Sequence, residues 1–251
     1  MKKSALLILV LFALSAWNGC SRQTNSPPPL ASGAKSGGSD SRFTTIRVDV
    51  RTERLELFLR DDAGRPFKRF DQLRSWLESR NQRLIFAMNA GMFQRDFSPV
   101  GLFVQDGQQV APLNQSDGTG NFFLKPNGVF LVSETGPRIV EASEYPAFAH
   151  GVRLATQSGP LLVRHGTLHP AISAASTSQL VRNGVGISGD TVIFVISEQP
   201  VNFYEMAIYF RDELHCPDAL YLDGVVSSLY SIDLQRNDSK TDLGPIIGVI
   251  Q

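Results

Sequence analysis

The stretch Ala219-Leu-Tyr-Leu-Asp-Gly-Val-Val-Ser-Ser-Leu-Tyr230 contains an apolar run that is followed by one carboxylate, a glycine and two hydroxyls. Residues 219–222 are predicted to form a short buried strand, because a proline and a glycine bound the run. Asp223 then lies at the carboxyl end of a strand, where side chains reach a cleft. We expect Ser227 and Ser228 to face it across a tight turn. The alternative interpretation is an ordinary Asp-Gly turn with capping serines.

Length and composition indicate one globular domain with a large core. The chain has 251 residues, of which 42% are hydrophobic and 19% are charged. This composition is typical of folded proteins. Basic and acidic residues balance at 24 each, without a basic stripe. Electrostatic capture of nucleic acid is therefore not expected.

The amino terminus has the features of an export signal. Two lysines precede an uninterrupted apolar run over residues 5–16, the length of a secretory h-region. The segment ends in Trp17-Asn-Gly-Cys20, which resembles a bacterial lipoprotein cleavage site. We therefore predict a signal peptide over residues 1–20 with cleavage before Cys20, and lipidation of Cys20. The mature protein is expected to be exported and lipid-anchored in the cell envelope, facing the periplasm or the exterior.

A linker and one domain are predicted to follow. Residues 21–42 are rich in Ser, Gly and Pro and offer little to a core, so they are predicted to be a flexible tether. Residues 43–251 form the predicted domain. If Cys20 carries lipid, Cys216 has no partner and is expected to be a small buried hydrophobe. A disulfide between these two cysteines is the alternative.

Patterns along the domain predict an α+β fold with mixed, mainly antiparallel sheets packed against a few helices. Residues 43–50 and 55–59 are predicted to be strands that pair with each other, and residues 70–79 a helix. A capping box at Asn202 and Glu205 predicts a second helix. Further strands are predicted over residues 83–88 and 245–250.

Turn dipeptides between apolar runs predict several hairpins. Residues 102–105 lead into Asp106-Gly107, and residues 122–125 lead into Asn127-Gly128. A third hairpin is expected where residues 185–188 reach Gly189-Asp190. Antiparallel pairing therefore dominates the predicted middle of the chain.

Loops rich in Asn and Gly recur at the predicted strand ends. Such loops can offer amide side chains and bare backbone N–H groups to a ligand. Together with Asp223-Gly224 they are predicted to form one polar cleft. The residues expected to bind substrate there are Asn89, Gly91, Asn121, Asn127, Gln157, Ser158, Gly159, Gly184, Gly224, Ser227 and Ser228.

The order and spacing of seven motifs carry a family resemblance. They are Asn89-Ala-Gly-Met-Phe, Pro99-Val-Gly-Leu, Gly120-Asn-Phe-Phe, Pro126-Asn-Gly-Val-Phe, Thr156-Gln-Ser-Gly-Pro-Leu-Leu, Arg182-Asn-Gly-Val-Gly and Leu220-Tyr-Leu-Asp-Gly. From about residue 43 onward the chain resembles the bacterial phosphodiester glycosidase family. That family includes the mannose 6-phosphate uncovering enzyme, which removes N-acetylglucosamine from a sugar phosphodiester. The resemblance implies a hydrolase that acts on a carbohydrate phosphodiester.

Three side chains are candidates for the chemistry. Glycoside hydrolysis usually employs two carboxylates, one of them an acid for the leaving group. Because a phosphate leaving group is already stable as an anion, a fixed cation can replace that acid. Arg182 is predicted to clamp the phosphate, and Asp223 to be the base or the nucleophile. Glu198 is the candidate for a second carboxylate. Surface or solvated positions for Arg182 and Glu198 are the structural alternatives.

No metal or cofactor is expected. His165 and His169 flank a glycine turn, a poor zinc spacing without further ligands. The main hypothesis is an exported phosphodiester glycosidase acting on envelope or extracellular glycans. The alternatives are a non-catalytic glycan-binding lipoprotein with the same fold and a structural envelope protein. The presence of both Arg182 and Asp223 favours the enzyme, because a binder needs no carboxylate aimed at an anionic substrate.

Overall fold

The computed structural model describes residues 40–251, so the predicted signal peptide, Cys20 and most of the predicted tether lie outside the described residues. Within this range the strands are β1 (Phe43–Asp49), β2 (Arg54–Phe58), β3 (Leu84–Asn89), β4 (Phe103–Gln105), β5 (Gln108–Ala111), β6 (Gly128–Ser133), β7 (Gly136–Glu141), β8 (Val152–Ser158), β9 (Leu161–Arg164), β10 (Thr167–Leu168), β11 (Asn183–Ser188), β12 (Thr191–Ser197), β13 (Asp218–Tyr221), β14 (Leu229–Ser231), β15 (Arg236–Asn237) and β16 (Ile246–Ile250). The helices are α1 (Phe70–Glu78) and α2 (Phe203–Ile208), with a π-helical turn at Tyr209–Glu213 and 3-10 turns at Asn121–Phe123, Tyr145–Phe148 and Gly224–Val226.

The strands form three antiparallel sheets. The first sheet has the order β1-β12-β11-β13-β9-β10, the second β15-β14-β3-β16-β2, and the third β5-β4-β8-β6-β7. Every strand pair within them is antiparallel. The fold is therefore α+β with β-structure dominant and few helices.

One apolar core joins the three sheets. Phe194 of β12 contacts Phe86 of β3 at 5.1 Å and Phe130 of β6 at 6.2 Å between ring centroids. All three rings are buried in one continuous cluster. A buried Phe side chain stabilises a fold by about 1.5–3 kcal/mol relative to exposure. Because the sheets share this core, the loops at their ends are held at fixed positions.

The two helices cover outer faces of the sheets. Helix α1 buries Phe70, Leu73 and Leu77 against the second sheet. Helix α2 begins with the predicted capping box, in which the Asn202 side chain accepts from the Glu205 N–H and the Glu205 carboxylate accepts from the Asn202 N–H. Neither helix of the described region is long and apolar enough to cross a membrane.

Cys216 is a buried free thiol beside the π-helical turn. A Cβ atom on Gly186 of β11 would approach its Sγ to 2.8 Å and the Phe210 ring to 2.7 Å. Glycine is therefore required where the helix region meets the first sheet. Burial raises the pKa of the Cys216 thiol to about 12, so it stays protonated. The predicted role as a small buried hydrophobe is confirmed.

Two local predictions of strand pairing are wrong. Strands β1 and β2 do not pair, because β1 lies beside β12 in the first sheet and β2 beside β16 in the second. The predicted strand over residues 122–125 is absent. Asn121–Phe123 forms a 3-10 turn, and β6 begins at Gly128 and pairs with β7. By contrast, the hairpins at Asp106-Gly107 and Gly189-Asp190 are confirmed.

Candidate active site

Two buried asparagines join the first and second sheets. Asn89 ends β3 and Asn183 begins β11, and their exposed fractions are 1% and 0%. The Asn183 amide donates to the Asn89 side-chain and backbone oxygens, both at 3.1 Å. The two side chains therefore satisfy each other inside the protein.

The same pair holds the turn that contains Asp223. The Asn89 amide donates to the Asp223 carbonyl at 2.7 Å, and the Asn89 side-chain oxygen accepts from the Ser228 N–H at 2.9 Å. Ser227 Oγ donates to Asn183 Oδ1 at 3.0 Å. Asn89, Asp223, Ser227 and Ser228 thus lie in one hydrogen-bonded turn, with the Ser228 hydroxyl donating to the Val226 carbonyl.

Asp223 lies two residues after the end of β13, half-buried, with its backbone N–H and carbonyl both hydrogen-bonded. Its N–H donates to the Ala90 carbonyl at 3.2 Å. Its carboxylate accepts from the Val225 N–H at 3.3 Å. Burial raises the pKa of Asp223 to about 6, although the bond from Val225 opposes the shift. Such a carboxylate is poised near neutral pH for proton transfer.

Tyr221 lies between Arg182 and the Gly224 turn. The Tyr221 hydroxyl accepts from the Arg182 guanidinium at 3.3 Å and lies against Gly224, where a Cβ atom would collide with it. The pKa of Tyr221 is raised chiefly by burial, while the Arg182 charge lowers it and the Asp223 charge raises it. The hydroxyl therefore lies between opposite charges, and Gly224 is required for its close approach.

Arg182 is fully buried, with an exposed fraction of 0%. Its guanidinium donates to the Val201 carbonyl at 2.8 Å and the Ser178 carbonyl at 2.9 Å, and it lies 3.9 Å from the Phe203 ring centroid. This placement differs from the predicted phosphate clamp, because these donors are directed at protein oxygens.

Glu198 follows β12 at the surface. Its carboxylate accepts from Thr44 Oγ1 at 2.5 Å and from Arg236 at 2.6 Å. In the first sheet, β12 and β13 are separated by β11. Two strand spacings amount to roughly 10 Å, at the upper end of the separation of paired carboxylates in glycosidases. The Glu198 carboxylate is bound to Thr44 and Arg236, and among the described residues no hydrogen bond joins it to Asp223.

Gly91 and Gln157 tie the third sheet to the site. The Gly91 N–H donates to Thr156 Oγ1 at 3.2 Å, and the backbone of Gln157 leaves no space for a side chain at Gly91. The Gln157 amide oxygen accepts from the N–H groups of Leu102 and Asn114, both at 2.9 Å. Gln157 therefore orients a neighbouring loop.

Asn121, Asn127 and Gly159 meet on the same side of Asp223. A Cβ atom on Gly159 would lie 2.7 Å from Asn127 Cβ and 3.1 Å from the Asn121 carbonyl. The Asn127 amide donates to the Phe122 carbonyl at 2.9 Å. Ser158 Oγ is buried and has no hydrogen-bond partner within residues 40–251. A hollow of about 270 Å³ beside Asn127 is lined by Gln115, Lys125, Glu141, Ala142 and Ser143, none of which belongs to the predicted site.

The remaining predicted glycine, Gly184, lies in β11. A Cβ atom there would approach the Leu220 carbonyl to 2.8 Å, so Gly184 allows close packing of β11 and β13 rather than ligand contact. The predicted site set omitted Asn183, Tyr221 and Thr156. Asn183 lies within a recognised motif, but the role of Tyr221 depends on a tertiary contact with Arg182.

Comparisons with known proteins agree with this architecture. A family model described as phosphodiester glycosidase matches residues 82–249. The chain is 34% identical over 227 residues to the uncharacterized protein YigE of Escherichia coli strain K12, covering 90% of this chain and 83% of YigE.

Solved structures share the fold at low sequence identity. The catalytic domain of zebrafish N-acetylglucosamine-1-phosphodiester alpha-N-acetylglucosaminidase, auto-inhibited by its pro-peptide, has a TM-score of 0.56 at 13% identity and 86% coverage of both chains. A putative exported protein of Burkholderia pseudomallei has a TM-score of 0.52 at 12% identity, covering 82% of this chain and 73% of its own. From the match over residues 82–249 and the identity to YigE, we conclude that the chain belongs to the phosphodiester glycosidase family.

Proposed function

We propose that this protein is an exported hydrolase that cleaves the glycosidic bond of a sugar-1-phosphodiester. Asp223 carries the proposal, because it combines a pKa raised to about 6 with a position where loops of all three sheets converge. Membership of the phosphodiester glycosidase family supports the reaction class. A substrate on envelope or extracellular glycans follows from the predicted export signal.

The proposed reaction needs one reactive carboxylate. Ionised Asp223 either removes a proton from the water that attacks the anomeric carbon, or attacks that carbon itself before water releases the sugar. In both cases the bond from the anomeric carbon to the phosphate oxygen breaks, and its electron pair leaves with the phosphate. Since that leaving group is a stable anion, no second carboxylate has to protonate it. The Glu198 carboxylate, which accepts from Arg236, has no role in this scheme.

Arg182 is proposed to act on Asp223 through Tyr221 rather than on the phosphate directly. The guanidinium holds the Tyr221 hydroxyl, and that hydroxyl packs against Gly224. This contact restricts the turn that presents the carboxylate. Arg182 and Tyr221 are thus positioning residues in the proposal.

The location proposed from the sequence is a lipid anchor at Cys20. The charged start, the apolar run over residues 5–16 and the following tether support it. The anchor would hold residues 43–251 close to a membrane surface, within reach of envelope glycans.

Asp223→Asn is expected to lower turnover of a sugar-1-phosphodiester by at least about a hundredfold, as for loss of a positioned base. Because burial raises the pKa of Asp223, its ionised form opposes folding above pH about 4, and a neutral amide removes that effect. The free energy of unfolding at pH 7 should not fall. Turnover is measured as the rate of sugar release, and the free energy of unfolding is measured by urea denaturation.

The matched control for this substitution is Asp218→Asn, at the other end of β13. It removes a carboxylate bound to Arg164, remote from the Asp223 turn. Turnover close to wild type is expected for it. Wild-type turnover in Asp223→Asn would remove Asp223 from the mechanism.

The pH profile should show an acid limb. Since Asp223 must be ionised, kcat/KM is expected to fall about tenfold per pH unit below its pKa of about 6. The limb in kcat should lie at higher pH, because a bound phosphodiester anion raises the pKa of a nearby carboxyl further. Initial rates from pH 4 to 9 measure both limbs. Rates that increase below pH 6 would contradict the assignment.

Tyr221→Phe is expected to lower kcat by about tenfold with little change in KM, because only the hydroxyl that steadies the Asp223 turn is lost. Tyr209→Phe is the control. Tyr209 is equally buried, and its hydroxyl is 3.0 Å from that of Thr45, away from Asp223. Comparable loss of kcat in both variants would mean that Tyr221 acts only through stability.

Substrate charge separates the two roles considered for Arg182. As a positioning residue, Arg182→Lys should reduce kcat to a similar extent for a phosphodiester and for an uncharged aryl glycoside. A loss of kcat confined to the phosphodiester would instead indicate that Arg182 contacts the phosphate directly, since an ammonium cannot reproduce a two-point contact.

Cys20→Ser is expected to leave the specific activity unchanged and to move the protein from the membrane fraction to the soluble exported fraction, or to stall its processing. Fractionation and mass spectrometry of the mature amino terminus test this. A wild-type protein that is soluble and unlipidated would show that Trp17 prevents lipoprotein processing at Cys20 and that the enzyme is secreted.

A further inference from the structure

Three charged side chains form a chain from the end of β12 to the segment that follows the Asp223 turn. Arg236 Nη1 donates to Glu198 Oε1 at 2.6 Å. Arg236 also donates to both carboxylate oxygens of Asp238, from Nε at 3.1 Å and from Nη2 to Oδ2 at 2.9 Å. We call Glu198, Arg236 and Asp238 the charged bridge. Because β12 belongs to the first sheet and β15, which contains Arg236, belongs to the second, the charged bridge joins two sheets.

The inner end of the charged bridge holds the residue that follows the Asp223 turn. The Leu229 N–H donates to Asp238 Oδ2 at 2.9 Å, and the Asp238 N–H donates to the Leu229 carbonyl at 3.0 Å. The preceding residue is Ser228, whose N–H donates to the Asn89 side chain at 2.9 Å. Two consecutive backbone N–H groups are therefore bound by side-chain oxygens, one from Asn89 and one from the charged bridge.

The outer end of the charged bridge is fixed to the first sheet. The Glu198 carboxylate accepts from Thr44 Oγ1 at 2.5 Å. Glu198 follows Ser197 of β12, which bonds to Arg182 in both directions. The Ser197 N–H donates to the Arg182 carbonyl at 2.8 Å, and Ser197 Oγ accepts from the Arg182 N–H at 2.9 Å. The charged bridge thus starts beside the residue that leads into β11.

Arg236 suits the middle of the charged bridge because its guanidinium is planar and carries several donors. Contact through both Nε and Nη2 fixes the plane of the Asp238 carboxylate, and such charge-assisted bonds are stronger than neutral ones. The fixed carboxylate then holds the Leu229 N–H in one direction. Only 24% of the Arg236 side chain is exposed, so solvent ions screen these contacts less than they screen an open surface pair.

We infer that Arg236 is a positioning residue for Asp223, which acts through Asp238 on the end of the turn and is itself supported by Glu198. The inference rests on the proposed function, in which Asp223 is the reactive carboxylate. Since Asn89 and Asp238 hold neighbouring backbone groups of one turn, loss of either contact lets the turn shift relative to a bound sugar. A displacement of about 1 Å at a reacting group can cost about a hundredfold in rate. Glu198 contributes through Arg236, without touching the substrate.

Arg236→Gln tests the charged bridge, because an amide has too few N–H donors to hold both carboxylates as the guanidinium does. We expect kcat for a sugar-1-phosphodiester to fall about tenfold while KM changes less than about twofold, since only the alignment of the turn is lost. Initial rates over a range of substrate concentrations separate the two constants. An unchanged kcat in this variant overturns the inference.

Arg164→Gln is the matched control for this substitution. Arg164 also binds two carboxylates, those of Glu144 at 2.5 Å and Asp218 at 3.0 Å, and 21% of its side chain is exposed. The control therefore removes a similar set of ionic contacts away from the Asp223 turn, and it should keep the wild-type kcat. An equal fall of kcat in the two variants would mean that Arg236 acts only through stability, which overturns the inference.

Two substitutions of Asp238 test its contact with the turn. Asp238→Asn keeps an oxygen that can accept from the Leu229 N–H, whereas Asp238→Ala removes it. The kcat of Asp238→Ala should be at least about threefold below that of Asp238→Asn, because only the alanine leaves the Leu229 N–H without its acceptor. Equal kcat values would show that this contact does not position the turn.

Hydrogen exchange of the full chain separates the inference from the proposed reaction, because it requires no substrate. Backbone amides of residues 224–229 should exchange at least about threefold faster in Arg236→Gln than in the wild type, and at the wild-type rate in Arg164→Gln. If no sugar-1-phosphodiester is hydrolysed but this difference is found, the proposed function fails and the control of the turn by Arg236 stands. Unchanged exchange over residues 224–229 in Arg236→Gln overturns the inference, whatever the activity of the wild type.

Discussion

The paired amides of Asn89 and Asn183 are the interaction on which the site depends. They lie where β3 of the second sheet meets β11 of the first, and both are buried. Amides suit this position because each supplies donors and an acceptor, so one residue can bind its partner and a turn together. Loss of either side chain would leave buried partners unsatisfied, at about 1–3 kcal/mol for each group. The pair therefore couples the packing of two sheets to the geometry of one turn.

This arrangement fixes the backbone of Asp223 while leaving its carboxylate weakly held. The N–H and the carbonyl each have a hydrogen-bond partner, in Ala90 and Asn89. The carboxylate has a 3.3 Å bond to Val225. A half-buried carboxylate with so little stabilisation has a raised pKa, which accounts for the value of about 6. Precise placement and reactivity thus come from different atoms of the same residue.

The sequence allowed prediction of features that depend on neighbouring residues. The capping box at Asn202 and the turn at Gly189-Asp190 are local, and both are found. The pairing of β1 with β12 joins residues about 150 positions apart, and no local pattern specifies such a register. The strand predicted over residues 122–125 was wrong for a related reason. Its apolar residues resemble a strand in the sequence, but Asn121–Phe123 forms a 3-10 turn.

Alternation along β11 explains why the site was predicted only in part. Successive side chains at a strand point to opposite faces. Asn183 points to Asn89, whereas Arg182 and Gly184 point to the face covered by α2, where they meet Phe203 and Met206. Because Arg182 and Asn183 are adjacent, their side chains must point to opposite sides of the sheet. The sequence does not show which of the two side chains points to the cleft. Because Asn183 faces Asn89, the Arg182 guanidinium instead donates to the Tyr221 hydroxyl, which packs against Gly224.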